Sequence, residues 1–272
     1  MRLIAHISDL HFGRLDPLVV EGLLTDLSAA RPWLIVISGD LVQRAKRRHF
    51  RAARIFLDRL PAPYLIVPGN HDIPTYNVLL RLLDPFGNYR RFITTDLSPR
   101  LIEADIAVLG LTTPRQFILN FAHGRINHAQ VEQVHEVFAP LPNSVFKVLV
   151  THHPFLPPPD EPTKSLTGRA ETVMPHLAAS GVDLMLAGHY HLGYSGDIRS
   201  HHHQVERSVL VVQASTATST RLREPANSYN LIRIDPPQVS VTIRSWTGDA
   251  FATTTTEIYT RTAKGWMRPD KA

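Results

Sequence analysis

The sequence contains no cysteine. That excludes disulfides, thiolate nucleophiles and zinc sites built on sulfur. It also contains no apolar window near the ~18 residues that a membrane-spanning helix needs. Near the N-terminus, Asp9 interrupts any apolar core of a secretory signal, so the expectation is a cytoplasmic protein without a membrane span. Internal repeats are missing, and no stretch is long enough to act as a linker. Residues 1–272 therefore read as a single domain, with an α/β part over about 1–195 and a β-rich tail over about 205–262. With 43% apolar and 19% charged residues, the chain can bury a full core. What it has in abundance is histidine, 15 in all, and a net charge of +5 that favours anionic ligands such as phosphates, nucleotides or nucleic acid.

Apolar runs at 2–7, 33–37, 64–67, 106–111, 146–150 and 182–187 read as buried strands. Helical spacing appears between them, as in Val20, Leu23, Leu24 and Leu27 behind Pro17. Asn127 and Gln130 form a capping-box pattern. The segment 84–104 has no clear period and reads as irregular. Five prolines between 154 and 162 read as a lid. Past residue 207 the helices stop, and strand-like runs at 208–214, 228–235, 238–246 and 251–261 suggest antiparallel pairing. Strand, loop and helix in alternation predict an α/β fold with its site along the carboxyl edge of the sheet. With the β tail, the expectation is two sheets packed face to face with helices outside.

Polar residues gather at the strand ends. They are Asp9 and His11, Asp40, Asn70 and His71, His152, and His189 and His191. Read as extended backbone, pairs spaced by two put both side chains on one side. Carboxylates with imidazoles suit first-row divalent ions, and seven such ligands exceed one tetrahedral site but fit two metals. Each piece has an ordinary alternative: a turn, a helix cap or a surface histidine. The ordered set of five is what favours a metal centre.

The blocks Asp9-Leu10-His11, Gly39-Asp40, Gly69-Asn70-His71-Asp72, His152 and Gly188-His189-Tyr190-His191 resemble the calcineurin-like metallophosphoesterases. The resemblance implies a four-layer α/β/β/α sandwich of two mixed sheets flanked by helices. It implies that Asp9, His11, Asp40 and His191 hold one divalent metal, and that Asp40, Asn70, His152 and His189 hold a second, with Asp40 shared. The ions would be Mn, Fe or Zn. A metal-activated hydroxide would attack phosphorus, while His71, oriented by Asp72, would serve the leaving oxygen.

Within the superfamily, Gly-Asn-His-Asp stands where protein phosphatases show Gly-Asn-His-Glu, and Gln43-Arg44-Ala45 replaces their Asp-Arg-Gly. The blocks look most like bacterial class III cyclic-nucleotide phosphodiesterases and glycerophosphodiesterases, which implies a small phosphodiester substrate. A UDP-2,3-diacylglucosamine-type pyrophosphatase is an alternative; DNA-acting nucleases and non-enzymatic scaffolds are others. Arg44 keeps the spacing of a phosphate-gripping arginine, and His123 lies where it could reach substrate. Arg44, Lys46, Arg47, Arg48, Arg51 and Arg54 make a basic cluster, but no aromatic platform interleaves with it, so a solvated helix face is favoured over nucleic-acid binding. His201, His202 and His203 read as an exposed loop, and the tail and the 76–100 segment offer surfaces for a homodimer.

Overall fold

The structure, a computed structural model, describes residues 1–116, 122–224 and 226–268. Asn120, a polar residue of the segment 112–126, lies outside the described residues. The chain begins with β1 (Arg2–Ile7), α1 (Pro17–Ala30), β2 (Leu34–Ile37), α2 (Arg47–Leu57) and β3 (Tyr64–Ile66). A single 3₁₀ turn, Asn70–Asp72, leads to two short helices, α3 (Val78–Leu83) and α4 (Gly87–Phe92). Then come β4 (Arg100–Ile102), β5 (Ile106–Gly110), α5 (His128–Phe138), β6 (Phe146–Val150), α6 (Ala170–Ala179) and β7 (Leu184–Ala187). The remainder is β8 (Tyr194–Asp197), β9 (Leu210–Gln213), β10 (Ser228–Asp235), β11 (Gln238–Trp246), β12 (Phe251–Thr262) and β13 (Gly265–Met267).

Two mixed sheets result. One runs β13-β12-β11-β10-β1-β2-β3, the other β4-β5-β6-β7-β9-β8. Their inner faces meet in a core that includes Ile4, Leu34 and Val36 from one sheet and Val108, Val148 and Leu186 from the other. The outer face of the first sheet is covered by α1, α2 and α4 through residues such as Leu23, Phe50 and Tyr89. The outer face of the second is covered by α5 and α6 through Val134, Phe138, Met174 and Leu177. This is the expected four-layer sandwich. β2, β5 and β7 are buried on both faces and are unbroken apolar runs; β1 and β6 are largely so, each holding a buried polar residue, His6 and Lys147. The helices start where local chemistry allows. Asp16 caps α1 by accepting from the Leu18 amide, with Pro17 in the first turn, and Asn127 and Gln130 close the capping box of α5.

Several expectations change. The 84–104 segment is ordered into α4 and β4; both are too short to show a period. The proline-rich stretch is no lid at its start: residues 154–158 are buried, with Phe155 and Leu156 in the outer core. His202 is buried as well, its Nε2 donating to the Phe155 carbonyl at 2.7 Å. The tail is divided between the sheets. β10 to β13 are antiparallel, but β9 pairs parallel with β7. No helix among the described residues is long and apolar enough to cross a membrane.

One buried carboxylate ties the layers together. Asp183 accepts from the Lys147 amide at 2.9 Å and from Arg207 at 2.7 Å, and it pairs with Arg261 on β12 of the opposite sheet. Both guanidinium groups are about one-third exposed, so water can rescue them if the carboxylate is removed. Asp183→Ala is therefore expected to cost about 2 kcal/mol, the scale of hydrogen bonds to a charged group, rather than the larger loss of a fully buried pair. The check is thermal unfolding, where a melting temperature lower by about 5 °C is expected for a chain of this size.

Candidate metal centre

The chemistry-bearing residues leave their strands by left-handed turns. Asp9 and His11 follow β1 at φ 53° and 52°, Asp40 follows β2 at φ 51°, and His189 and His191 follow β7 at φ 79° and 59°. Two other described non-glycine residues share this backbone region, Arg31 and Arg169, and both are helix caps. The conformation costs of order 1 kcal/mol or more per residue, so concentrating five of them at one place marks a functional constraint. It also corrects the extended reading of the two spaced pairs. Their side chains converge because the backbone curls, not because it alternates.

The turns approach one another closely. A Cβ at Gly188 would strike the Ser8 hydroxyl, and one at Gly69 would strike Asp40. These two glycines let four loops interlock in pairs. Asp40 then sits centrally, 2% exposed. Its Oδ2 lies 3.9 Å from His11 Nε2, and its Oδ1 lies 3.5 Å from His152 Nε2. On the first side, Asp9 Oδ1, His11 Nε2 and His191 Nε2 converge, with separations of 3.6 Å, 3.2 Å and 3.1 Å. On the second, Asn70 Oδ1 lies 3.1 Å from both His152 Nε2 and His189 Nδ1. The structure thus brings together all seven residues that the resemblance implied as metal ligands.

Backbone carbonyls decide which ring nitrogens face inward. His152 Nδ1 donates to Ser38 at 2.7 Å and His191 Nδ1 donates to Arg221 at 2.8 Å, leaving each Nε2 lone pair aimed at the centre. Asp9 Oδ2 is saturated by the Ser8 hydroxyl and the His189 amide, while its buried Oδ1 has no hydrogen-bond partner. Acceptors therefore face acceptors at about hydrogen-bond distance in a desolvated pocket, which a cation resolves. The donor set, two carboxylates, four imidazoles and one amide oxygen, fits borderline divalent ions. Without an ion, the anions work on the histidines. Burial opposes the His152 charge, yet Asp40 and Asp9 outweigh it and raise that imidazole to about 9. His189, buried and next to His152, is pushed down to about 3. His153 closes the wall but offers no free nitrogen. Its ring bonds the Thr113 hydroxyl at 2.7 Å and the Ala122 carbonyl at 3.1 Å.

His71 occupies the open side, its side chain 26% exposed. Its amide donates to Asp40 Oδ1 at 2.8 Å, and its Nδ1 donates to the Gln43 carbonyl at 2.9 Å. That second contact overturns the role given to Asp72. The Asp72 carboxylate does not bond the His71 ring; it accepts from the amides of Leu41, Val42 and Gly69 at 3.2, 2.9 and 2.8 Å. It belongs to the 3₁₀ turn, which directs its side chain back onto the loop that carries Asp40. Burial and the nearby Asp40 charge push its carboxyl up to about 7, against the three amides that favour the anion.

Above the cluster lies a cleft of about 300 Å³ whose outer wall includes Lys164, Tyr190, Arg221 and Arg223. Arg221 Nη1 is 3.3 Å from His71 Nε2. These cations were not anticipated. The only signal was two arginines in a Ser/Thr-rich loop beyond β9, another strand on the same carboxyl edge. Arg44 does not line the cleft. With the Gln43 carbonyl committed to His71, the next side chain turns outward and its guanidinium stacks on Tyr76, 5.1 Å from the ring centre. His123 stands beside the rim, its Nε2 3.2 Å from the Ser165 hydroxyl.

A sheet sandwich carrying paired clusters of ligand-type residues at its strand ends defines a metal-dependent hydrolase. The chain belongs to the calcineurin-like phosphoesterase family, whose model matches residues 2–193. A curated relative, the glycerophosphodiester phosphodiesterase GpdQ of Enterobacter lignolyticus, is 32% identical over 126 residues, 40% of this chain and 45% of that protein. The chain thus spans less than half the length of that relative. The fold is similar to a dimetal phosphatase from Danio rerio, with a TM-score of 0.64 at 11% identity over 93% of this chain and 98% of the other. It is also similar to a purple acid phosphatase from yellow lupin, with a TM-score of 0.66 at 9% identity over 94% of this chain and 53% of the other.

Asp72→Asn places an N–H donor against backbone donors. We expect a loss of about 1–3 kcal/mol together with weaker metal retention, because the loop holding Asn70 loosens. Unfolding and metal analysis of the purified variant check this. A variant that kept its stability and metal but lost turnover would return Asp72 to a role on His71.

Proposed function

We propose that this protein is a two-metal phosphodiesterase acting on small phosphodiesters. The observation that carries the reading is the shared Asp40 carboxylate, with one oxygen toward each of two ligand groups at the floor of a cation-walled cleft. Asp9, His11, Asp40 and His191 would hold one ion, and Asp40, Asn70, His152 and His189 the other, with Mn, Fe or Zn suited to the donors. When bound, such ions polarise phosphoryl oxygens and lower the pKa of water.

The chain's own groups supply the rest. Arg221 presents a guanidinium beside His71, where it can bind a phosphoryl oxygen and orient the ester. The Gln43 carbonyl holds His71 Nδ1–H and turns Nε2 to the cleft; in the imidazolium form Nε2 carries a second proton, which would pass to the departing alkoxide and leave the neutral ring. Water is excluded from the floor, where Asp9, His11 and His152 are fully buried, and this strengthens each charge interaction there. A diester rather than a monoester is favoured by two features. The cleft extends past the ligands to Tyr190 and Leu222, giving room for a second ester group. The curated relative is a phosphodiesterase by name.

Bis(p-nitrophenyl) phosphate tested with added Mn should be hydrolysed well ahead of the monoester, and chelation should abolish turnover. His71→Ala is expected to lower kcat by about 10²–10⁴-fold with metal content near normal. Loss of metal in that variant would make His71 a ligand instead. Arg221→Ala should raise KM and lower kcat together. A panel of cyclic AMP, glycerophosphodiesters, UDP-diacylglucosamine, single-stranded DNA and a phosphopeptide then ranks the substrates; preference for the phosphopeptide would sink the diester reading.

A further inference from the structure

The helix α3 is turned inside out. Its one charged residue, Arg81, is 1% exposed, and the guanidinium donates to the carbonyls of Pro74, Arg115 and Gln116 at 3.1, 2.7 and 3.2 Å. The apolar side chains face solvent instead. Tyr76 is 78% exposed, Leu79 67% and Leu83 75%, with Val78 and Leu82 also exposed. A helix covered by its own protein places these types the other way round. Burying a guanidinium is costly, so backbone contacts hold α3 in this orientation against its hydrophobic preference.

Cations run alongside. The turn 44–46 touches both ends of the 76–88 segment: Arg44 stacks on Tyr76, and the Ala45 carbonyl accepts from the Asn88 amide at 2.9 Å. Arg44, Lys46, Arg47, Arg48 and Arg51 are exposed, and the one ion pair in this stretch among the described residues is Arg54 with Asp58.

We propose that α3 and the adjoining basic stretch form a docking surface for an anionic lipid bilayer. Leu79, Leu82 and Leu83 enter the boundary between headgroups and acyl chains, while Lys46, Arg47, Arg48 and Arg51 meet lipid phosphates. Charge decides against a second copy of the chain, because a two-fold contact would set this basic stretch against itself. A nucleic acid would use the cations but leave the aliphatic face uncovered. The surface adjoins the cleft, since Gln43, which holds His71, directly precedes Arg44.

The test is co-sedimentation of the full chain with phosphatidylcholine vesicles, with and without phosphatidylglycerol. Binding is expected only with the anionic lipid and should weaken as salt rises. The pair Leu79→Glu and Leu83→Glu, and separately Arg47→Gln with Arg48→Gln, should each lower partitioning by about tenfold or more, with the circular dichroism spectrum and turnover of a soluble aryl diester unchanged. If the charged pair fails to fold, Leu79→Ser with Leu83→Ser replaces it. The proposal is overturned by absence of partitioning, by partitioning indifferent to these residues, or by a dimer that the leucine substitutions abolish. Displacement of the vesicles by duplex DNA whose own binding ignores Leu79 and Leu83 would overturn it too.

Discussion

The fold and the site both depend on how one buried anion is satisfied. Asp40 is desolvated, sits in a left-handed turn and has an interlocked glycine against it. Such a group is tolerable only if positive charge or strong donors surround it. The His71 amide supplies one donor, and the rings of His11, His152 and His71 supply charge when protonated. On the proposed reading, two metal ions would supply it better, and the same ions would give the pocket its chemistry. Stability and activity would then be coupled through this carboxylate. Asp72 shows how far the arrangement reaches. It touches no ligand, yet it ties the loop bearing Asp40 to the turn bearing Asn70.

Much of this was legible in the sequence, for a definite reason. Strands buried on both faces are dominated by apolar residues, so β1, β2, β5, β6 and β7 stand out, and polar residues gathered at their ends are conspicuous. The seven ligand-type residues were found that way. The missing parts are those that depend on backbone conformation or on contacts distant in sequence. Residue spacing alone implies extended geometry at Asp9, His11, His189 and His191, where the chain is left-handed. Asp72 follows His71 directly, which suggested partnership, but the 3₁₀ turn separates the two side chains. Arg44 had the right spacing but the wrong direction, and Arg221 had no spacing to report, since it reaches His71 from 150 residues away.

The two halves of the cleft differ in kind. Its floor is rigid, made of buried rings whose outer nitrogens are fixed by carbonyls. Its rim is made of long side chains such as Lys164, whose ammonium pairs with Glu161 at 2.5 Å and lies 4.7 Å from the Tyr190 ring centre. A floor of this sort fixes the reaction type, and a rim of this sort sets which esters reach it. Members of one fold family can therefore share the floor and differ in substrate.

The pairing of β1 with β10 bears on how the molecule is made. Arg2 lies opposite Ile234, and His6 opposite Asn230, so the strand that leads into Asp9 and His11 is completed by residues distant from it in sequence. On the ribosome, β1 can meet β2 first, but its other edge stays unpaired until residues 228–235 of β10 have been synthesised. Contacts of such sequence separation form slowly. Between those two events the nascent chain carries an open edge on β1, the strand that leads into the first half of the centre.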